Sequence, residues 1–86
     1  MALSIEIVSP HGVEFSADGV ERVVVRRREP QRSIGSEIAI YPRHAPLLMR
    51  VEPCTMRYTC DGVTTEREIP PGVLEVFEDR VTIAVT

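Results

Sequence analysis

The strongest constraint on this chain is a hydrophobic period of two, cut at short intervals by turn residues. Leu3, Ile5 and Ile7 alternate with Ser4 and Glu6, and Met56, Tyr58 and Cys60 alternate with Arg57 and Thr59. Val81, Ile83 and Val85 do the same around Thr82 and Ala84. Successive side chains of a strand point to opposite faces, so each run describes a strand with one face on a core and one in water. The many valines agree, because β-branched side chains suit a pleated surface better than a helix. No stretch between breakers carries a helical period.

The breakers divide the chain further. Ser9-Pro10-His11-Gly12 ends the first run, and Ala17-Asp18-Gly19 is expected to turn the chain between Val13–Ser16 and Val20–Arg26. Asp61-Gly62 stands between Thr55–Cys60 and Val63–Ile69 and is the best hairpin signal, since glycine takes a positive φ without steric cost. Pro70-Pro71-Gly72 and Glu78-Asp79-Arg80 set off Val73–Phe77 and Val81–Val85. Many short strands with turns at this spacing predict an all-β fold, a flattened β-sandwich of about eight to ten strands. At 86 residues it is expected to form one domain, residues 1–86, with a thin core. That core is predicted to comprise Leu3, Ile5, Ile7, Val23, Val25, Ile38, Ile40, Met56, Tyr58, Leu74, Val76, Val81 and Ile83. Tyr41, Leu47, Leu48, Met49 and Val51 are further core candidates that could instead serve an interface.

Composition excludes several kinds of chemistry. All ten basic side chains are Arg, so there is no phosphate-loop lysine, Schiff base or lysine general base. The net charge of -3 gives no support for nucleic-acid binding, and two Phe and two Tyr are too few to stack bases. Cys54 and Cys60 lie six residues apart, about 20 Å along a strand, so they are expected to remain partly buried thiols. No nucleophile, base and orienting group can be assembled from motif spacing, which disfavours a small hydrolase. Neither a catalytic centre, a cofactor site nor a metal site is expected. The first residues have no basic start and no long apolar stretch, which points to the cytosol or a cytosolic membrane face.

The order of residues says more than their period. Glu37-Ile38-Ala39-Ile40-Tyr41-Pro42-Arg43-His44-Ala45-Pro46-Leu47-Leu48 resembles the G-E-[LI]-G-I-[LY]-P-G-H-A-P-L-L motif of ATP synthase epsilon subunits. Ile7-Val8-Ser9-Pro10, with Val13 and Phe15, resembles the opening of that family. Pro71-Gly72-Val73-Leu74-Glu75-Val76, then Val81-Thr82-Ile83, resembles its close. Nearly the whole chain is covered. The sequence departs from the family at Ala39, Arg43, Cys54 and Pro71, each standing where the family has Gly, and its segment before Glu37 is about six residues longer. The family commonly continues into two C-terminal helices; this sequence stops at Thr86, as a natural short form or a piece of a longer chain would.

The resemblance implies a non-catalytic rotor subunit, attached to the gamma subunit on one side and to the c-ring through loops at one end. It also implies a peripheral position on the cytoplasmic side of an energy-transducing membrane, in a bacterium, without direct membrane insertion. By family position Glu37 faces the c-ring, and Tyr41, Arg43 and His44 belong to the attachment region, with His44 near gamma. Read alone, Glu37 is a solvated residue at a strand edge and His44 a turn histidine. Arg26, Arg27, Arg28 and Arg32 fall in a polar segment, Arg26–Ser33, expected to be a protruding loop that is either solvated or in contact with acidic patches on a partner or membrane. Period-two strands alone also suit an unrelated β-sandwich protein-binding module. The core assignment is testable: Ile83→Ala should cost roughly 2–4 kcal/mol in denaturant unfolding, and a loss below about 0.5 kcal/mol would place Ile83 on the wrong face.

Overall fold

The computed structural model describes residues 2–27 and 37–86 and is built of strands. In chain order these are β1 (Leu3–Ser9), β2 (Gly12–Val20), β3 (Arg22–Arg27), β4 (Glu37–Ile40), β5 (Leu47–Val51), β6 (Cys54–Cys60), β7 (Val63–Ile69), β8 (Gly72–Phe77) and β9 (Arg80–Val85). They form a five-stranded sheet, β2-β1-β9-β8-β5, and a four-stranded sheet, β4-β3-β6-β7. Nine strands in two sheets is the β-sandwich that the alternation predicts.

Within each sheet, neighbours in sequence pair as antiparallel hairpins. Asp61 and Gly62 have φ of 54° and 78°, and Glu78 and Asp79 have 49° and 63°. Two consecutive positive φ values give a two-residue turn whose twist matches that of the flanking strands. The exception to antiparallel pairing is β1 with β9, which run parallel with Ile5 opposite Val81 and Ile7 opposite Ile83. Between hairpins the chain changes sheet at Glu21, at Tyr41–Pro46, at Glu52-Pro53 and at Pro70-Pro71. Proline suits such crossings because it has no N–H to leave unpaired.

The core lies between the sheets. Leu3, Ile5, Ile7, Leu74, Val76, Val81 and Ile83 face Val23, Val25, Ile40 and Met56, all buried. Ile38 and Tyr58, also expected there, are only half-buried and pack against the core at its margin. Val20, Cys54 and Ile69 complete the core without having been predicted there, and Val51, a candidate for core or interface, is buried. Each ends or begins a strand, where alternation is hardest to extend. Tyr41 and Leu48 are exposed rather than core, because Leu47, Met49 and Val51 take the inward positions of β5 and parity turns Leu48 outward.

Two expected boundaries move. Ala17-Asp18-Gly19 does not end a strand: β2 continues to Val20, with Leu3 opposite Val20 and Ile5 opposite Ala17. The extra residue in β2 forms a bulge, and Gly19, at φ 66°, supplies the positive φ that a turn would also have used. The paired length of β1 holds these residues in the ladder, and the break falls at Glu21. There Glu21 N–H donates to Thr59 O at 2.7 Å and its carboxylate accepts from Gly62 N–H at 3.3 Å. Likewise Arg26 and Arg27 are not loop residues: β3 runs through them, pairing with Thr55 and Cys54. Arg28, Arg32 and Ser33 lie outside the described residues.

Cys54 and Cys60 are both thiols, the first buried and the second half-buried, as the spacing along β6 requires. At the start of β8, Gly72 lies so close to β9 that an added Cβ would press into the carbonyl oxygen of Ala84 and meet Val85 Cα at 3.3 Å. Neither is a flexible side chain that can swing away. Gly72→Ala should therefore cost at least about 2 kcal/mol, read as a lower urea midpoint at unchanged slope; an unchanged midpoint would mean that β8 and β9 separate freely there.

Candidate functional site

The two ends of the sandwich carry different groups. One end holds the start of β1, the Glu21 crossing, the Tyr41–Pro46 crossing and the turns at Asp61-Gly62 and Glu78-Asp79. The other holds Pro10-His11, the ends of β3 and the start of β4, Glu52-Pro53 and Pro70-Pro71. β4 runs from one end toward the other, so the motif residues Glu37 and His44 are separated along it. The structure brings Tyr41, Arg43 and His44 together at the first end. Glu37 instead stands beside Arg26, its partner across the β3–β4 pair.

The Tyr41–Pro46 crossing is pinned. His44 N–H donates to Tyr41 O at 3.1 Å, closing a turn, and Arg43 N–H donates to Asp79 Oδ1 at 2.6 Å. Ser4 N–H donates to Asp79 O at 3.0 Å. Asp79 thus ties β1, the β8–β9 turn and the crossing into one unit. Arg43 has a φ of 70°, a conformation that costs an L-residue roughly 1–2 kcal/mol relative to glycine. This is the position where the family motif has Gly, and the backbone explains why. His44 Nδ1 lies 2.7 Å from Ala45 O, an orientation that requires the proton on Nδ1 and leaves Nε2 to solvent or a partner. The side chain is half-buried, while that of Tyr41 is exposed.

On the outer face of the four-stranded sheet Glu37 accepts from Arg57 Nη2 at 3.3 Å, both side chains being about half exposed (49% and 40%). Such a pair contributes little stability, at most about 1 kcal/mol. Register sets Glu37, Arg26, Thr55 and Glu68 in one cross-strand row, and Ala39, Val24, Arg57 and Glu66 in the next. Thr55 Oγ1 donates to Glu68 at 3.3 Å. This face is a ladder of opposite charges, a pattern legible only once the register is known.

The outer face of the five-stranded sheet differs. Val13, Leu48, Val73 and Phe77 are exposed on it, at 59%, 71%, 43% and 51%. Register places Val13, Val8, Ala84 and Val73 in one apolar row across the sheet, ended by Arg50. Of these residues sequence reasoning offered only Leu48 as a possible interface residue; strand parity was the signal that could have found the others. Among the described residues no group of three His, Cys, Asp or Glu could hold a metal ion, and no helix is long and apolar enough to cross a membrane.

Comparison with known proteins matches residues 2–86 to the family model described as ATP synthase, Delta/Epsilon chain, beta-sandwich domain. The ATP synthase epsilon chain of Roseiflexus sp. (strain RS-1) is 36% identical over 83 residues, spanning 96% of this chain and 55% of that protein. The ATP synthase epsilon chain of Neisseria meningitidis serogroup B is 32% identical over 83 residues, spanning 94% and 54%. The chain thus spans about half the length of these relatives. A chain from the central stalk/c-ring structure of the Tetrahymena thermophila mitochondrial ATP synthase superposes with a TM-score of 0.69 at 14% identity, covering 100% of this chain and 64% of that one. At that identity the likeness is one of fold. The strain at Arg43 is testable: Arg43→Gly keeps the N–H that Asp79 accepts and should stabilise the domain by up to about 1 kcal/mol, whereas a clear loss of stability would show the arginine side chain to be holding the crossing.

Proposed function

This chain belongs to the ATP synthase Delta/Epsilon chain β-sandwich family, and on that footing we propose that it is a non-catalytic subunit of the central stalk, attaching to the gamma subunit and the c-ring and coupling ion flow to ATP synthesis or hydrolysis. The observation that carries this reading is the match over residues 2–86 together with the motif Glu37–Leu48, which here spans β4, the pinned crossing and the start of β5. The motif is where the chain passes from one sheet to the other, so a partner held by it is held by the whole sandwich. A central-stalk chain with the same fold supports the setting.

The two ends and two faces divide the work. Glu37, with Arg26 beside it, stands at the end opposite Arg43 and His44. An acidic group there suits basic loops of a ring, where it sets register more than affinity, since an exposed pair contributes about 1 kcal/mol or less. Arg26 stands at the same end, and with Arg27, Arg28 and Arg32, which follow it in the sequence, is a candidate for contact with acidic groups of the ring or with lipid headgroups. Tyr41, Arg43 and His44 at the other end serve gamma, with His44 Nε2 as the available polar contact. The apolar row on the outer face of the five-stranded sheet extends that contact, because exposed apolar side chains in a row mark interfaces. The site would then lie on the cytoplasmic side of the membrane, as a peripheral part of the complex.

The decisive measurement is binding of the full chain to a gamma–c-ring subcomplex at low and high ionic strength. The unaltered chain should bind, and Glu37→Arg should bind about five- to tenfold more weakly at low salt, with the difference shrinking at high salt. Glu37→Gln separates lost attraction from repulsion against Arg57. Equal binding of all forms at low salt would remove Glu37 from the interface; no binding by any form would return the chain to the class of other β-sandwich protein-binding modules.

A further inference from the structure

The four edges of the two sheets are not equally open. β2 is broken by register shifts at two places, opposite Leu3–Ile5 and opposite Ile7-Val8. β4 has four residues and β5 five, and β5 is preceded by Pro46. Short, bulged or proline-flanked edges resist further pairing. β7 is followed by Pro70, but among the described edge strands it alone is both long and free of bulges. It runs seven residues, Val63–Ile69, in unbroken register with β6 from Cys60↔Val63 to Cys54↔Ile69. Six of its seven residues are exposed. On its far side no further strand of the sheet lies among the described residues.

Two features give this edge chemical character. Its outward-facing positions include Glu66 and Glu68, in the row pattern set by β6. These carboxylates also act against self-pairing: in the fully overlapped antiparallel register of two copies, Glu66 would lie opposite itself. Beside the same edge, a groove of about 350 Å³ opens between β7 and β2. Its floor is Ile7, Ile69 and Val85, with Pro10, His11 and Arg67 among its walls. The Arg67 guanidinium stacks 4.5 Å above the Phe15 ring, which in turn packs 5.6 Å from Tyr58.

We infer that β7 is a strand-addition site for an extended segment of a partner protein that carries basic residues at alternate positions and an aliphatic residue next to them. The main chain would add a fifth strand to the smaller sheet. Alternation then sets the side chains: the residues opposite Glu66 and Glu68 point outward and are basic, and the residue opposite Ile69 points inward and reaches the groove. The carboxylates that reject a second copy select this partner, so one pair of residues accounts for both properties. This surface is separate from the His44 crossing; its Glu68 shares a cross-strand row with Glu37, through Thr55 and Arg26, and the inference stands whether or not the central-stalk reading does.

The test uses the full chain and a capped synthetic peptide of two Arg-Thr-Arg-Val repeats, followed by amide chemical shifts. The largest shifts should fall on Val63–Ile69, with slowed amide exchange there. The double variant Glu66→Arg, Glu68→Arg should bind this peptide at least tenfold more weakly and bind a Glu-Thr-Glu-Val peptide more tightly than the unaltered chain does. Glu66→Gln, a milder change at a solvent-facing position, should give an intermediate loss. Replacing the peptide valines by serine should weaken binding several-fold. No shifts at millimolar peptide, shifts centred on another edge or on the outer face of the five-stranded sheet, charge variants that leave both peptides unaffected, or indifference to the valine replacement would each overturn the proposal.

Discussion

The rest of the structure depends on the parallel pairing of β1 with β9. Parallel neighbours cannot be joined by a tight turn. Once Ile5 lies beside Val81 and Ile7 beside Ile83, the chain between them cannot close directly: after β2 it leaves the five-stranded sheet for β3 and β4, returns for β5, leaves again for β6 and β7, and comes back at β8. The second sheet is built from those excursions, and each crossing is short because the two layers are only about 10 Å apart. The same pairing puts Leu3, Ile5, Ile7, Val81 and Ile83 side by side at the middle of the core, where each methyl group has neighbours on every side. Asp79 secures the start of the pair, accepting from Ser4 through its carbonyl and from Arg43 through its carboxylate. The crossing that carries the family motif is thereby anchored to the turn that launches β9.

Much of this was legible in the sequence, and the failures have physical causes. Alternation predicted the fold class and the centres of the strands, since a buried face leaves its mark at every second residue. It failed at strand ends. Val20, Cys54 and Ile69 are buried because the chain there is passing between layers, a circumstance that a two-residue period does not encode. Ala17-Asp18-Gly19 reads as a turn, and it is not one: a bulge and a turn ask for the same residue types, and the choice belongs to the partner strand. Leu48 and Tyr41 misled because both are apolar and both flank a crossing; only the parity of β5, with Leu47, Met49 and Val51 inward, sends Leu48 out.

The candidate site was legible as residue types and not as a place. Glu37, Tyr41, Arg43 and His44 are close in sequence, and the motif binds them into one unit on the page. In space β4 carries Glu37 away from the other three, toward Arg26 and Arg57. The departures from the family's glycines sort by environment. Arg43 occupies a backbone that favours glycine, Cys54 fills part of the core, and Ala39 lies exposed on an edge strand. The retained Gly72 is the one that the packing of β8 on β9 would not release.

The β1–β9 pair also sets the order in which the fold can close. β1 is made about 75 residues before its partner. Local hairpins such as β6–β7 form in about 1–10 μs once their turn exists. The central pairing must instead close a loop of nearly the whole domain before any of its contacts contribute. Until then one flank of β1 is an open parallel edge rich in isoleucine and leucine, bordered by β2 alone. Slow closure and a transiently sticky intermediate are the kinetic counterpart of an architecture that joins its beginning to its end.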